Sequence, residues 1–195
     1  SREHFSVDGS LIEAWASMKS FVPKDGSDDK KQPPKGEGKG GKSRIKKKRG
    51  GRNAWKDFSG TKRSNETHAS TTDPEARLTR KGKGQGAKLA YLMNALMENR
   101  NGLLTDFRVA IATGTAERDG AQEMLRALAG SHRVTVGADK GYDTKDFVSE
   151  CREIGVTPHV AQNISGTRRS AIDGRTTNPA GYAVSQRARM FIESI

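Results

Sequence analysis

Hydrophobic and polar positions change period several times along this chain, and each change marks an element. Phe5 and Val7 alternate with polar neighbours and predict a strand that leads to Asp8. Leu11, Ile12, Ala14 and Trp15 then fit either a helical turn or a second short strand, and an exposed turn built on Asp8-Gly9 competes with both. Apolar positions thin out until Ala87. Residues 88–97 and 103–112 are apolar runs joined by Asn99-Arg100-Asn101-Gly102, and Asn-Gly between such runs predicts a hairpin. Thr113-Gly114-Thr115 leads into a helix with Ala121, Met124, Leu125 and Leu128 at helical spacing and Gly130 as its stop.

The stretch Arg133 to Asp143, RVTVGADKGYD, organises the second half of the chain. A β-branched run, Val134-Thr135-Val136, passes through Gly137-Ala138 and delivers Asp139, followed by a glycine-containing turn. Strand, acid, turn, helix is how an α/β fold sets a functional group at the carboxyl end of a strand. Asp143 or Thr144 is expected to cap a helix whose Phe147, Cys151 and Ile154 line one face, with Gly155 ending it. Cys151 on that face reads as core rather than as a reactive thiol. Val156 to Ala161 reads as another short strand, and residues 162–181 as a polar, basic loop containing Arg168, Arg169 and Arg175.

The last segment, 182–195, fits a helix with two stripes. Val184, Ala188, Phe191 and Ile195 form an apolar stripe expected to dock on the sheet. Tyr182, Gln186, Arg189 and Glu193 form a second stripe, expected to carry Arg189 and Glu193 toward a site. The element order is strand, polar insertion, hairpin, helix, strand, helix, strand, helix. A mixed sheet begun by meandering strands and completed by α/β units is the layout of the ribonuclease-H-like α/β fold, here with a long basic insertion after the first strand.

Composition sharpens that insertion. Of 195 residues only 32% are hydrophobic, and the mean hydropathy is −0.80. The formal net charge is +12, and residues 24–88 carry all of it, with 20 Lys and Arg against 8 Asp and Glu. Residues 23–86 therefore form a basic insertion in an otherwise neutral domain. Residues 23–53 are low complexity, with Pro33-Pro34, repeated Lys and Gly, and Arg44-Ile45-Lys46-Lys47-Lys48-Arg49, and they are expected to be disordered. Lys46, Lys47, Lys48 and Arg49 suit the phosphate backbone of nucleic acid, bound without sequence preference and sensitively to salt. A nuclear-import signal uses similar residues, and a solvated linker is the bland alternative. From Trp55 to Gly86 a polar surface loop is expected; His68 and Asp73 are metal-ligand types, but two residues do not make a site.

A single cysteine excludes an internal disulfide and fits a reducing compartment. No run approaches the roughly 18 apolar residues of a transmembrane helix, and no signal-peptide core is visible, so a soluble intracellular protein without membrane association is expected.

Phosphodiester chemistry needs neutralised charge and an in-line nucleophile more than it needs covalent catalysis. Carboxylates that hold Mg²⁺ supply both, because Mg²⁺ prefers oxygen ligands and keeps several waters. Asp8 on the first strand, Asp139 ending the later strand and Glu193 on the last helix are the candidate trio.

FSVDGSLIEAWASMKSF, THASTTDPEARL, LMENRNGL, GADKGYD and GYAVSQRARMFIE together resemble a DDE transposase of a bacterial insertion sequence, over nearly the whole chain. The resemblance implies a ribonuclease-H-like catalytic domain. It places the family's first Asp on Asp8 and its second on Asp139 in ADKGYD. Arg189 and Glu193 match the Arg and Glu of the family's Tyr-x-x-Arg-x-x-x-Glu-x6-Lys signature; Gln186 stands where Tyr is common, and the closing Lys would lie beyond Ile195. The chain is therefore expected to be a fragment, residues 1–195 forming one catalytic domain without the family's N-terminal DNA-binding region and C-terminal end.

The implied reaction is hydrolysis at the element's ends followed by attack of the freed 3′-hydroxyl on target DNA, with two Mg²⁺ or Mn²⁺ ions held by Asp8, Asp139 and Glu193. Arg189 and Lys140 are implied DNA contacts, although a surface ion pair is the bland reading of Arg189 and packing that of Tyr142. Element ends and target DNA are the expected partners, a homodimer is a candidate assembly, and the expected location is the bacterial cytoplasm at the nucleoid. A nuclease of the same fold without strand transfer, and an inactive DNA-binding remnant, are the rival readings.

Overall fold

A computed structural model of the chain describes residues 3–26, 63–82, 84–128, 130, 133–165 and 169–194. They belong to two compact units, Ser1–Glu13 with Ala90–Ile195, and Ala14–Leu89. Strands β1 (Glu3–Glu13), β5 (Lys88–Glu98), β6 (Leu103–Ile111), β7 (Val134–Ala138) and β8 (Val156–Val160) belong to a six-stranded mixed sheet in which β5, β1, β7 and β8 are adjacent in that order and β6 pairs with β5. β1 runs antiparallel to β5 and parallel to β7, and β7 runs parallel to β8. Helices α1 (Ala116–Leu128) and α2 (Lys145–Glu153) supply the crossovers, followed by α3 (Gly174–Thr177) and α4 (Ala180–Ala188). This is the ribonuclease-H-like fold, with the basic insertion following its first strand.

β1 is one continuous strand of 11 residues, so Asp8-Gly9 is strand and not a turn, and Leu11 and Ile12 continue it. Nine consecutive pairs with β5, from Phe5–Glu98 to Glu13–Ala90, hold it extended where local sequence left helix and strand in competition. Tertiary pairing overrides weak local preference here. The hairpin forms as the Asn-Gly signal predicts. Gly102 takes φ 67°, and the Glu98 carboxylate accepts from the backbone N–H groups of Arg100 (2.7 Å) and Asn101 (2.9 Å). Asn99 reaches back to β1, accepting from Ser6 Oγ at 2.9 Å and lying 3.0 Å from His4 Nδ1.

The core lies between the sheet and the α1–α2 layer. Phe5, Val7, Leu96, Val134, Val136 and Val160 meet Ala121, Met124, Leu125, Phe147, Val148 and Cys151, all buried. Burying such side chains contributes roughly 1.5–3 kcal/mol each for the larger aliphatic and aromatic ones. Thr144 caps α2 by accepting from Phe147 N–H at 3.3 Å, and Gly155 ends that turn with φ 77°. Asp143, the other cap candidate, has a different task described below.

The C-terminal segment differs from expectation in two ways. The α-helix stops at Ala188 and the chain continues as a 3-10 stretch, Arg189–Ser194. The stripes are also exchanged. Val184 and Phe191 of the apolar stripe are exposed (52% and 67%), while Tyr182, Gln186 and Arg189 of the polar stripe are partly buried, Tyr182 and Gln186 bonding to β8. Tyr182 Oη donates to Val160 O at 2.9 Å, Gln186 Nε2 donates to His159 O at 2.5 Å, and Ser185 Oγ lies 2.6 Å from His159 Nδ1. The polar end of β8 offers carbonyls and an imidazole that an apolar stripe could not satisfy, and unmatched buried polar groups cost about 1–3 kcal/mol each.

In the second unit, β2 (Phe21–Pro23) pairs antiparallel with β3 (His68–Ser70), and β4 is Arg77–Thr79. The expected polar loop over 55–86 is thus partly regular. His68 is buried, stacked on Phe21 at 5.5 Å, and Asp73 accepts from Ala76 N–H in a turn. Asn65 brackets Leu78, accepting from its N–H at 2.7 Å and donating to its carbonyl at 3.0 Å. Among the described residues, neither His68 nor Asp73 joins a group of three side chains that could hold a metal ion. Residues 27–62, which include most of the stretch expected to be disordered and Lys46, Lys47, Lys48 and Arg49, lie outside the described residues. Among the described residues no helix is long and apolar enough to cross a membrane.

Candidate active site

The parallel pair β1–β7 sets the site. Its register matches Glu3 with Val134 and runs to Ser6 with Gly137. Asp8 and Asp139 each follow that last pair by two residues, so both stand at one level, Asp139 just beyond β7 and Asp8 midway along β1 where its pairing with β7 ends. Alternation in β1 places Phe5, Val7 and Gly9 toward α1, and Ser6, Asp8 and Ser10 toward the opposite face. Asp139 leaves β7 in an extended conformation (φ −75°, ψ 177°), and its Oδ1 accepts from Gly141 N–H at 2.6 Å. That bond fixes the carboxylate at the mouth of the 3-10 turn Lys140–Tyr142. Lys140 beside it is exposed.

The 3-10 stretch that contains Glu193 packs against β1, the strand of Asp8, and α4 packs against β7. Arg189 is half-buried at the start of that stretch, its Nε donating to Gln186 Oε1 at 2.9 Å. It closes over Gly137, where an added Cβ would stand 3.3 Å from both the Arg189 Cβ and Ser185 O. Glycine at 137 therefore lets the C-terminal segment come down onto the strand that ends in Asp139. The surface ion pair considered for Arg189 is replaced by this packed, hydrogen-bonded position.

A further carboxylate comes from the other side. Glu117 lies in the first turn of α1, half-buried, against Gly9. A Cβ at position 9 would fall 2.5 Å from Glu117 Cγ. Burial first, then the charge of Asp139, with Asp8 adding to it, raise the Glu117 carboxyl above the usual range; the Tyr142 hydroxyl and Arg118 pull the other way. Tyr142 is fully buried against Phe147, with ring centroids 5.1 Å apart. Burial, then Glu117, Asp8 and Asp139, push its hydroxyl well above the ordinary tyrosine value. Sequence reasoning passed over Glu117 because an acid in a first helical turn looks like ordinary helix-dipole complement.

Asp143, the second acid of ADKGYD, is buried and structural. It accepts from Asn163 N–H at 2.6 Å and from Ala171 N–H at 2.8 Å, tying the segment after β8 back under the site.

The matched family is now informative. Residues 22–189 match the transposase DDE domain. This chain belongs to the DDE transposase family. Asp139, Lys140 and Arg189 lie inside the matched span, while Asp8 and Glu193 flank it. No curated protein and no solved structure gives a match. The family carries out polynucleotidyl transfer with divalent metal ions. The donor chemistry at this sheet end fits such an ion: the groups brought together are carboxylates, hard oxygen ligands that Mg²⁺ and Mn²⁺ favour. Among the described residues, no three His, Cys, Asp or Glu side chains close together as a metal cage.

Proposed function

We propose that the chain is the catalytic domain of an insertion-sequence transposase that cuts DNA at the element's ends and joins the freed 3′-hydroxyl to target DNA. The observation that carries this reading is the register of β1 and β7, which brings Asp8 and Asp139 to one level in a chain of the DDE family. Asp8, Asp139 and Glu193 are the residues proposed to hold one or two Mg²⁺ or Mn²⁺ ions. Bound there, such ions would activate the attacking oxygen and stabilise the leaving one.

The chain's own groups do the positioning. Asp139 is oriented by the Gly141 N–H, Arg189 is held over Gly137 on the same strand as Asp139, and exposed Lys140 is available to a phosphate beside the carboxylates. The basic residues of 24–88 would hold the DNA backbone through charge, without reading sequence. DNA is the proposed partner, a homodimer on paired ends the proposed assembly, and the bacterial nucleoid the proposed location.

The test uses a linear duplex with a labelled 3′ end and a supercoiled plasmid target in Mg²⁺ or Mn²⁺. Covalent joining of the labelled strand to plasmid, lost with a 3′-dideoxy end and in D139N, is the expected result. Nicking without joining would assign the chain to the nuclease reading. Salt-sensitive binding with neither product would mark an inactive DNA-binding remnant.

A further inference from the structure

β6 stands at the edge of the sheet. Among the described residues it pairs with β5 alone, so its outer side offers backbone N–H and C=O groups to a further strand. Long edge strands are commonly blunted by Lys or Pro, and Leu103–Ile111, LLTDFRVAI, contains neither. Leu103, Leu104, Phe107, Val109 and Ile111 are all exposed. Phe107, Val109 and Ile111 share one face, in line with Ala95, Met93 and Tyr91 of β5.

The strand's own sequence selects its complement. Laid antiparallel against a second copy of itself, with Phe107 opposite Phe107, β6 sets Asp106 of each copy opposite Arg108 of the other. Centring the pair on Asp106 or on Arg108 would instead oppose two carboxylates or two guanidiniums, so charge selects the Phe107 register. Within one copy Arg108 Nη1 donates to Glu123 Oε2 at 2.7 Å, and its Nε lies 3.5 Å from Asp106 Oδ2. A guanidinium has five N–H donors in a planar fork, so it can keep Glu123 and meet a second carboxylate. A bulge leaves Thr105 as an extra residue, its hydroxyl donating to Leu96 O at 3.0 Å. Pairing is therefore regular over Asp106–Arg108. On either side of it Val109 and Ile111 of one copy run alongside Leu103 and Leu104 of the other, apolar against apolar.

We propose that β6 is the surface through which two copies of this domain associate, edge to edge, across a two-fold axis at Phe107. This inference gives a surface to the homodimer of the proposed function and rests on that assembly, not on the metal site. Asp8 pairs with Ala95, and Ala95 with Phe107, so Asp8 lies in the row of the axis. Joining the sheets places the two Asp8 residues on the same face, roughly 24 Å apart at the usual strand spacing. Two sites on one side of a joined sheet suit an assembly that acts on paired DNA ends.

The experiment is light scattering of the whole chain over a concentration series, for the wild type, R108D and D106R/R108D, with circular dichroism to show folding. The wild type should dimerise, R108D should weaken the dimer about 10-fold, and the exchanged pair should restore it. Oxidative cross-linking of F107C and V109C reads the register. Directly opposed residues have Cα atoms about 4.5–5.5 Å apart, within disulfide reach, so F107C should form a covalent dimer. V109C should not, because its two copies would stand roughly 14 Å apart. Cys151 is buried and does not compete. Cross-linking decides the matter if R108D fails to fold. A wild-type dimer unaffected by R108D, no rescue by D106R/R108D, or V109C cross-linking as well as F107C would overturn this surface and leave the homodimer standing. A wild-type chain that stays monomeric at every concentration would overturn both.

Discussion

Ser6 and Gly137 are the last matched residues of the parallel strands β1 and β7, and this pairing brings Asp8 and Asp139, 131 positions apart in the chain, to one level. Everything else at the site is arranged about that level: the Gly141 N–H on Asp139, Glu117 against Gly9, and Arg189 over Gly137.

D8N and D139N should each reduce metal-dependent DNA cleavage by on the order of 10²–10³-fold, the loss typical when one preorganised electrostatic group is removed from a transition state. Single-turnover cleavage of plasmid DNA measures it, with circular dichroism to show that the fold is kept.

Asp143 should matter to stability rather than to the chemical step. D143A leaves the N–H groups of Asn163 and Ala171 without their buried acceptor. Charge-assisted bonds of this kind contribute about 1.5–3 kcal/mol each, so a loss of several degrees in melting temperature is expected. Calorimetric melting of the whole chain checks it.

G120A should be destabilising although alanine normally favours a helix over glycine. The added Cβ would stand 2.2 Å from Nδ2 of buried Asn94, which donates to Ala116 O. Overpacking of a filled core costs about 1–3 kcal/mol. Urea denaturation would reveal the sign; a more stable G120A protein would contradict this packing.

Mild acid should weaken the fold through His4 and His159. Burial is the largest cause in both, and it lowers each imidazole below its usual pKa of 6.5. A histidine whose folded pKa is depressed binds its proton more weakly than in the unfolded chain. The stability it contributes is therefore full above the unfolded value and falls as pH drops from there through the folded one. Melting temperatures between pH 7.5 and 5 should decline, and H159Q should flatten part of that decline.

Cys151 should be inert in the folded protein. Burial raises its thiol to about 12, so almost no thiolate exists at neutral pH. A thiol-reactive chromophore should label it only after denaturant is added.

Much of the framework was legible because short-range chemistry specified it. Asn101-Gly102 made the hairpin, Thr144 the cap, Gly155 the stop of α2, and β-branched Val134 and Val136 the central strand. The resemblance carried by VDGS and ADKGYD named the family that the match over 22–189 then showed. The choice of face for the C-terminal segment was not legible. Hydrophobic periodicity put Val184 and Phe191 on the sheet, but the carbonyl groups of Val160 and His159 required hydrogen-bonding partners, and Tyr182 and Gln186 met them.

The sequence by itself determined the hairpin, the central strand with Asp139 after it, the helix that follows, and the segregation of all the net charge into residues 24–88. The spacing of the acids along the chain says nothing about distance in space, however. The β1–β7 register alone made neighbours of Asp8 and Asp139. Only the packing of α1 on β1 brought Glu117 against Gly9, the neighbour of Asp8. A side chain's partners across a sheet depend on register and crossover geometry, and these are settled by the whole core rather than by any window of sequence.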